Sequence, residues 1–305
     1  MNSNILETNQ LTRNYGNLVA VNQLSLQVPR GSIYGFLGPN GAGKTTTIRM
    51  LLRLIRPTSG NILFFGKPLE KSSIEQANRV GSLVESPSYY PHLTGRENLE
   101  LVRRMRGEAT ETVQRALKIV NLEKDANRLV KHYSLGMCQR LGLAMAFLGS
   151  PDVLVLDEPT NGLDPAGIHE IRELLRNLPD EHGVTVFVSS HLLSEVEQLA
   201  TCIGIIQKGK LIFQGDPASL HASFQDRLSV GVDRPEDARS FLIHNGWQSD
   251  AASDHHILVP VRGQEDAAEL NCRLHDAGFR VFDLHYQQLS LEDIFLKLTD
   301  ASIVK

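Results

Sequence analysis

A chain of 305 residues, 41% hydrophobic and 22% charged, has the length for two domains and the make-up of an ordinary globular protein. Its formal charge of −4 gives no electrostatic reason to bind nucleic acid, no apolar run approaches the roughly 20 residues that span a bilayer, and the N-terminus lacks the basic-then-apolar pattern of a signal peptide. Cys138, Cys202 and Cys272 are scattered, odd in number and without metal-ligand spacing, which fits a reducing cytoplasm rather than a disulfide framework.

In chain order, Leu6–Tyr15 and Val21–Val28 read as strands around a turn near Gly16-Asn17. Ser32–Leu37 is an apolar strand that runs into Gly38-Pro39-Asn40-Gly41-Ala42-Gly43-Lys44-Thr45. Thr45–Leu54 follows with helical apolar spacing, and Arg56-Pro57-Thr58-Ser59-Gly60 stops it. Asn61–Phe65 is a short strand ending at Gly66. From about Thr94 to Leu148 the pattern is helical: Thr94 and Glu97 form a capping box, and Thr112–Val120 and Gln139–Leu148 carry helical periodicity. Val153–Leu156 and Val184–Val188 are short β-branched apolar runs, read as buried parallel strands with a helix over Ala166–Asn177 between them. Ile203–Gln207 and Leu211–Gln214, joined by Lys208-Gly209-Lys210, form a hairpin.

Beyond about residue 220 the texture changes. Leu228–Val232, Ile257–Val261 and Arg280–Leu284 alternate as strands; Ala238–Asn245 and Asp266–Ala277 read as helices closed by Gly246 and Gly278. Leu291–Leu298 is an amphipathic helix. This smaller α+β part holds 8 Lys and Arg against 14 Asp and Glu over residues 221–305, a balance of −6, which would repel a phosphate backbone. Its histidines, His244, His255, His256, His275 and His285, lack a tight ligand pattern with acidic or cysteine partners.

Chemistry concentrates around Gly38–Thr45, which fits G-x-x-x-x-G-K-[ST]. Glycines let successive N–H groups point inward at anionic oxygens, Lys44 adds a charge near the β- and γ-phosphates, and Thr45 offers a hydroxyl to Mg²⁺. The helix N-terminus behind it, at Thr45 and Thr46, favours the same anion. The loop by itself says only that a nucleoside triphosphate binds. Val153–Leu156 ends in Asp157-Glu158-Pro159, two carboxylates at the end of a buried strand: Asp157 suited to Mg²⁺, Glu158 to polarising a water. Alone, Asp157-Glu158 could equally cap a turn before Pro159. Tyr133-Ser134-Leu135-Gly136-Met137 opens a helix with a Ser/Gly pair, a second anion site of helix-N-terminus type.

With that element the chain resembles the ATP-binding-cassette (ABC) family over residues 5 to about 220. The element is similar to the L-S-G-G-Q signature, with Leu135 in place of the first Gly and Met137 in place of Gln. Asn161-Gly162-Leu163-Asp164 resembles the family's D-loop, Ser189-Ser190-His191 its switch histidine, and Tyr15 its adenine-stacking aromatic; a surface Tyr at a strand end is the plainer reading of that last residue. The run Glu85-Ser86-Pro87 through Leu99, the Tyr-Ser-Leu-Gly-Met signature and the Ser-Leu-Glu-Asp-Ile-Phe-Leu ending resemble the ATPases of bacitracin-type and lantibiotic-immunity exporters, a bacterial branch.

The resemblance implies an α/β P-loop NTPase core, residues 1–220, with an antiparallel β subdomain and a helical subdomain at about 94–150. The small α+β accessory domain, 221–305, follows it. It implies an ATPase that powers export of a peptide antibiotic, drug or similar amphipathic compound. It also implies ATP and Mg²⁺ as cofactors, a homodimer in the ATP-bound state, a separate transmembrane permease, no direct nucleic acid, and a location at the inner face of the cell membrane. The expected residues are Lys44, Glu158 and His191 for catalysis. Tyr15, Gly38, Pro39, Asn40, Gly41, Ala42, Gly43, Lys44, Thr45, Thr46, Ser134 and Gly136 would bind nucleotide, and Thr45, Asp157 and Glu85 the metal. Glu85 stands where most of the family carries a Mg²⁺-ligating Gln. A soluble ABC ATPase acting on ribosomes or nucleic acid, or the ATPase of another transporter class, is the alternative reading.

Overall fold

The N-terminal strands build an antiparallel sheet, burying Ile5, Leu6 and Leu11 together with the polar Thr8. In the computed structural model, which describes residues 4–69, 74–85, 87–222, 224, 226–251, 255–287 and 290–299, β1 (Asn4–Tyr15) is its spine. It pairs antiparallel with β2 (Leu18–Leu24) through its C-terminal half and with β3 (Gln27–Pro29) through its N-terminal half. The expected strand Val21–Val28 is therefore two. The Thr8 hydroxyl donates to the Leu24 carbonyl and accepts from the Leu26 amide, both at 2.8 Å, and so satisfies the backbone at the break.

Next comes β4 (Ile33–Leu37), buried at all five positions, and then α1 (Lys44–Leu51), which stops before the expected Leu54 as Arg53 turns the chain at φ +61°. On the other side of β1 lies β5 (Ser59–Phe64), and β6 (Lys67–Pro68) pairs with β5. α2 (Ile74–Asn78) precedes β7 (Val80–Leu83).

The helical stretch contains α3 (Gly95–Arg106), α4 (Glu111–Ile119) and α5 (Leu135–Phe147). The capping box is present: Glu97 accepts from the Thr94 amide at 2.8 Å and its own amide donates to the Thr94 hydroxyl at 3.2 Å. The Thr94 backbone bond, seconded by its hydroxyl, holds the Glu97 carboxyl below its ordinary pKa. β8 (Val153–Asp157) is followed by α6 (Pro165–His182), capped by Asp164, which accepts from the Gly167 amide at 2.9 Å. α6 runs past the expected Asn177 and through Pro179. With four residues left to its Gly183 cap, the proline removes one hydrogen bond near an end instead of breaking the middle.

β9 (Thr185–Ser190), α7 (Leu193–Glu197) and the hairpin β10 (Cys202–Gln207) and β11 (Lys210–Gly215) complete the second sheet, and α8 (Pro217–Ala222) comes after it. Its order is β11-β10-β4-β9-β8-β7, parallel except for β11. Both faces are buried, as short β-branched runs require. Leu83, Leu154, Leu156, Val186 and Val188 pack with the α3–α6 helices; Tyr34, Phe36, Val153, Val155 and Phe187 pack with the antiparallel sheet and α1. Each such fully buried side chain contributes about 1.5–3 kcal/mol. The Tyr34 and Phe187 rings stack at 5.4 Å, and burial pushes the Tyr34 phenol well up.

The chain divides into two compact units, Met1–Pro217 and Ala218–Lys305. The second is built on β12 (Asp226–Val232) and holds α9 (Pro235–His244), β13 (Asp250–Ala251), β14 (His256–Val261), α10 (Gln264–Asp276), β15 (Val281–Gln287) and α11 (Leu291–Thr299). Its antiparallel sheet has the order β13-β14-β12-β15. Leu228, Val230 and Val232 pack with Ala238, Leu242, Leu270 and Leu274 of the helices. The two-residue β13 was not anticipated: a segment that short carries no alternation to read.

Candidate functional site

The strands β4, β9 and β8 are neighbours, so their C-terminal ends lie side by side. In an open parallel sheet this is where ligands bind. The loop Gly38–Gly43 joins β4 to α1 there. Gly43 caps α1 at φ +110°, and a Cβ on it would lie 2.6 Å from the Ala20 carbonyl oxygen; a Cβ on Gly38 would lie 2.5 Å from that of Ile206. Both positions exclude any side chain, on conformation for the first and on close approach for the second. Thr45 and Thr46 fall in the first turn of α1, with no acidic residue beside them.

Lys44 opens that helix, with its side chain 5% exposed. Its ammonium donates to the Gly38 carbonyl at 2.7 Å and the Pro39 carbonyl at 3.4 Å, and lies 3.4 Å from Glu158 Oε1. The second carboxylate oxygen of Glu158 lies 3.0 Å from Nδ1 of His191, which follows β9. Glu158 itself sits in the left-handed region, at φ +47°. A non-glycine residue held there costs about 1 kcal/mol or more, which its surroundings must offset.

Asp157, 4% exposed, accepts the Ser189 hydroxyl at 2.6 Å. No cationic side chain among the described residues lies within ion-pair distance of it. A buried carboxylate without a paired cation is a hard-oxygen donor of the kind Mg²⁺ takes, and the Thr45 hydroxyl in the first turn of α1 is of the same kind. Lys44, Asp157, Glu158 and His191 are thus gathered from the ends of three strands, of which β4 lies far before β8 and β9 in the sequence.

The other expected residues stand apart from this cluster. Ser134 is the N-cap of α5, accepting from the Met137 amide at 3.2 Å, so the Ser/Gly pair opens the helix as expected and the helix begins at Leu135. Leu135 beside it is 53% exposed. No hydrogen bond or ion pair among the described residues joins Ser134 or Gly136 to the Lys44 cluster. Tyr15 ends β1, exposed, with the Arg13 guanidinium 4.5 Å from its ring centre on one face. Glu85 follows β7 at φ +61°, exposed, and its carboxylate is paired with the Arg49 guanidinium. Arg49 lies one helical turn beyond Thr45 on α1, on the same face of that helix. Ser86, beside it, lies outside the described residues.

Two residues had no assigned role in sequence: Ser189, which bonds both carboxylate residues, and Arg49, which holds Glu85. Neither carries a local signal, because each acts through a strand or helix distant in the chain.

Comparison with known proteins agrees with this geometry. The family model described as "ABC transporter" matches residues 21–161. The chain is 42% identical over 307 aligned residues, 97% of both proteins, to the bacitracin transport ATP-binding protein BcrA of Bacillus licheniformis. It is 38% identical, over 96% of both, to that of Enterococcus faecalis. Among solved structures, cbiO1 from Clostridium perfringens, part of the ABC transporter complex cbiONQ, matches at 27% identity and a TM-score of 0.67, covering 72% of this chain and 91% of that one. The chain therefore belongs to the ABC transporter family, as an ATP-binding subunit that hydrolyses ATP.

Proposed function

We propose that this ATPase powers export of a peptide antibiotic or similar amphipathic compound through a separate membrane permease. The observation that carries the reading is the end-to-end similarity to two bacitracin transport ATP-binding proteins, which includes the acidic second unit and not only the nucleotide-binding loop. No helix among the described residues is long and apolar enough to cross a membrane, so translocation falls to a partner. The chain would then work at the inner face of the cell membrane, attached through the permease.

The side chains divide the work. Gly38–Thr46 cradles the phosphates, Lys44 moving its charge from the loop carbonyls to the β- and γ-phosphates. Tyr15 offers its open ring face to adenine. Thr45 and Asp157 would hold Mg²⁺, with Glu85 as a further donor; the ion, when bound, offsets phosphate charge. Glu158 orients the attacking water, and His191, bonded to it, keeps that carboxylate aimed and contacts the γ-phosphate. Ser134 and Gly136 act on the nucleotide of a second copy, so that two chains close on two ATP molecules. That they form no bond to the Lys44 cluster within one chain supports this arrangement.

The test is antibiotic resistance. Expressed with its cognate permease in a sensitive bacterium, the wild-type chain is expected to raise the inhibitory concentration of bacitracin or another peptide antibiotic. The Glu158→Gln chain, expected to bind ATP without turnover, is expected not to. Equal resistance with both chains, across a panel of peptide antibiotics, removes the export reading.

A further inference from the structure

Ser189 is fully buried at the end of β9, in register with Asp157 of β8. Its hydroxyl has one proton to give and lone pairs to accept with. The proton goes to Asp157 Oδ1 at 2.6 Å, and the oxygen accepts the Glu158 amide at 3.0 Å. One side chain thereby bonds both consecutive carboxylate residues, one through its carboxylate and the other through its backbone.

We propose that Ser189 is a positioning residue for hydrolysis: its hydroxyl sets the rotation of the Asp157 carboxylate and secures the left-handed backbone from which Glu158 projects. The inference rests on the proposed roles of Asp157 and Glu158. Its physical content is twofold. With Oδ1 committed to Ser189, Oδ2 takes no hydrogen bond from the described residues and is the oxygen left for a cation. The strained Glu158 backbone, at φ +47°, has its amide satisfied in a part-buried setting, which fixes the direction of the side chain that meets Lys44 and His191. Removing the hydroxyl frees the carboxylate to turn and takes the partner from the part-buried Glu158 amide.

The neighbouring residues carry the same idea outward. The Ser190 hydroxyl accepts from the Leu192 amide at 2.9 Å and shapes the turn that presents His191. Thus Ser189 fixes the origin of the Glu158 side chain, and His191 fixes its end.

The test compares Ser189→Ala and Ser189→Thr in the full chain, with Glu158→Gln as the reference for the site. Four quantities are read: kcat for ATP, binding of a fluorescent ATP analogue in EDTA, the Mg²⁺ concentration that half-saturates its metal-dependent fluorescence change, and the melting temperature. Ser189→Ala is expected to lower kcat by about tenfold or more, a hydrogen bond to a charged group being at stake. It should also raise the half-saturating Mg²⁺ several-fold, with metal-free binding close to wild type and the melting temperature lowered by no more than a few degrees. Ser189→Thr, which keeps the hydroxyl, is expected to restore both values. The proposal is overturned if Ser189→Ala matches wild type in kcat and Mg²⁺ response, or if Ala and Thr are impaired alike, which assigns the position to packing. A Glu158→Gln chain that still hydrolyses ATP removes the site reading itself, an outcome separate from the other two.

Discussion

Glu85 is the carboxylate that stands where the family resemblance leads one to expect a neutral amide. An acid cannot donate as an amide does, and it adds a negative charge near the proposed metal. The structure shows where that charge goes: onto Arg49, one turn beyond Thr45. Both side chains are well exposed, so the pair adds well under about 1 kcal/mol to stability. Glu85→Gln is therefore expected to leave the melting temperature within a degree or so, yet to shift the Mg²⁺ dependence of hydrolysis several-fold. An unchanged Mg²⁺ dependence would leave Glu85 as a surface partner of Arg49 only.

Asp152 shows the opposite electrostatic behaviour. It accepts from Arg79 Nε at 2.7 Å and lies 3.6 Å from Arg30, joining the starts of β7, β8 and β4. The Arg79 hydrogen bond, then the two nearby positive charges, hold its carboxyl below the ordinary value. A depressed folded pKa means that the unfolded chain takes up the proton first as pH falls. The stabilisation is complete above the ordinary carboxylate range, near pH 4, and fades as pH drops through that range towards the folded value. Arg79→Met is expected to flatten the acid limb of a melting-temperature profile between about pH 5 and 3. A limb as steep as wild type would show that other carboxylates dominate acid unfolding.

At the scale of elements, α5 separates what a helix needs from what a site needs. Gly136 lies in its first turn with a negative φ, and a Cβ there would meet nothing closer than Leu163 Cδ2 at 4.0 Å. Glycine is among the poorest helix formers, and nothing within the described chain demands one here. A second copy bringing phosphate against the backbone would. Gly136→Ala is expected to stabilise the isolated chain by about 0.5–1 kcal/mol in denaturant unfolding. It should also lower ATP hydrolysis at least about tenfold by obstructing that approach. Full activity with higher stability would contradict the assignment of this helix to the partner's nucleotide.

The elements also show which sequence signals were sufficient. The capping box before α3 and the glycine-closed helices α9 and α10 were legible, because caps are local chemistry. The split of Val21–Val28 was not, since the break is satisfied by Thr8, which lies on another strand. Nor was the course of α6 through Pro179, where packing of Ile171, Leu175 and Leu178 against the sheet outweighs the lost hydrogen bond.

At the scale of the molecule, the proposal that one chain holds half of each site has a direct test. A Lys44→Ala chain and a Ser134→Asp chain are each expected to be inactive as purified; aspartate still caps α5, so the second should fold normally. Mixed, they would form heterodimers in which one site pairs an intact Lys44 loop with an intact Ser134 helix. With random pairing about a quarter of wild-type hydrolysis should return. Two inactive chains that stay inactive when mixed, while shown to associate, would mean that each site is complete within one chain.

The sequence alone determined the nucleotide loop, the order of the elements around it, the paired carboxylates and the signature helix, and through them the family. Those features are local: a loop's glycines, a run of apolar residues or a cap can be read without knowing what lies opposite. Only the tertiary structure decided which groups meet. The parallel order β4-β9-β8-β7 brings Lys44, Glu158 and His191 within contact, gives Ser189 its two bonds, and hands the Glu85 carboxylate to Arg49. Such meetings depend on strand order and register, which arise from burying both faces of the sheet at once, and no short stretch of sequence encodes them.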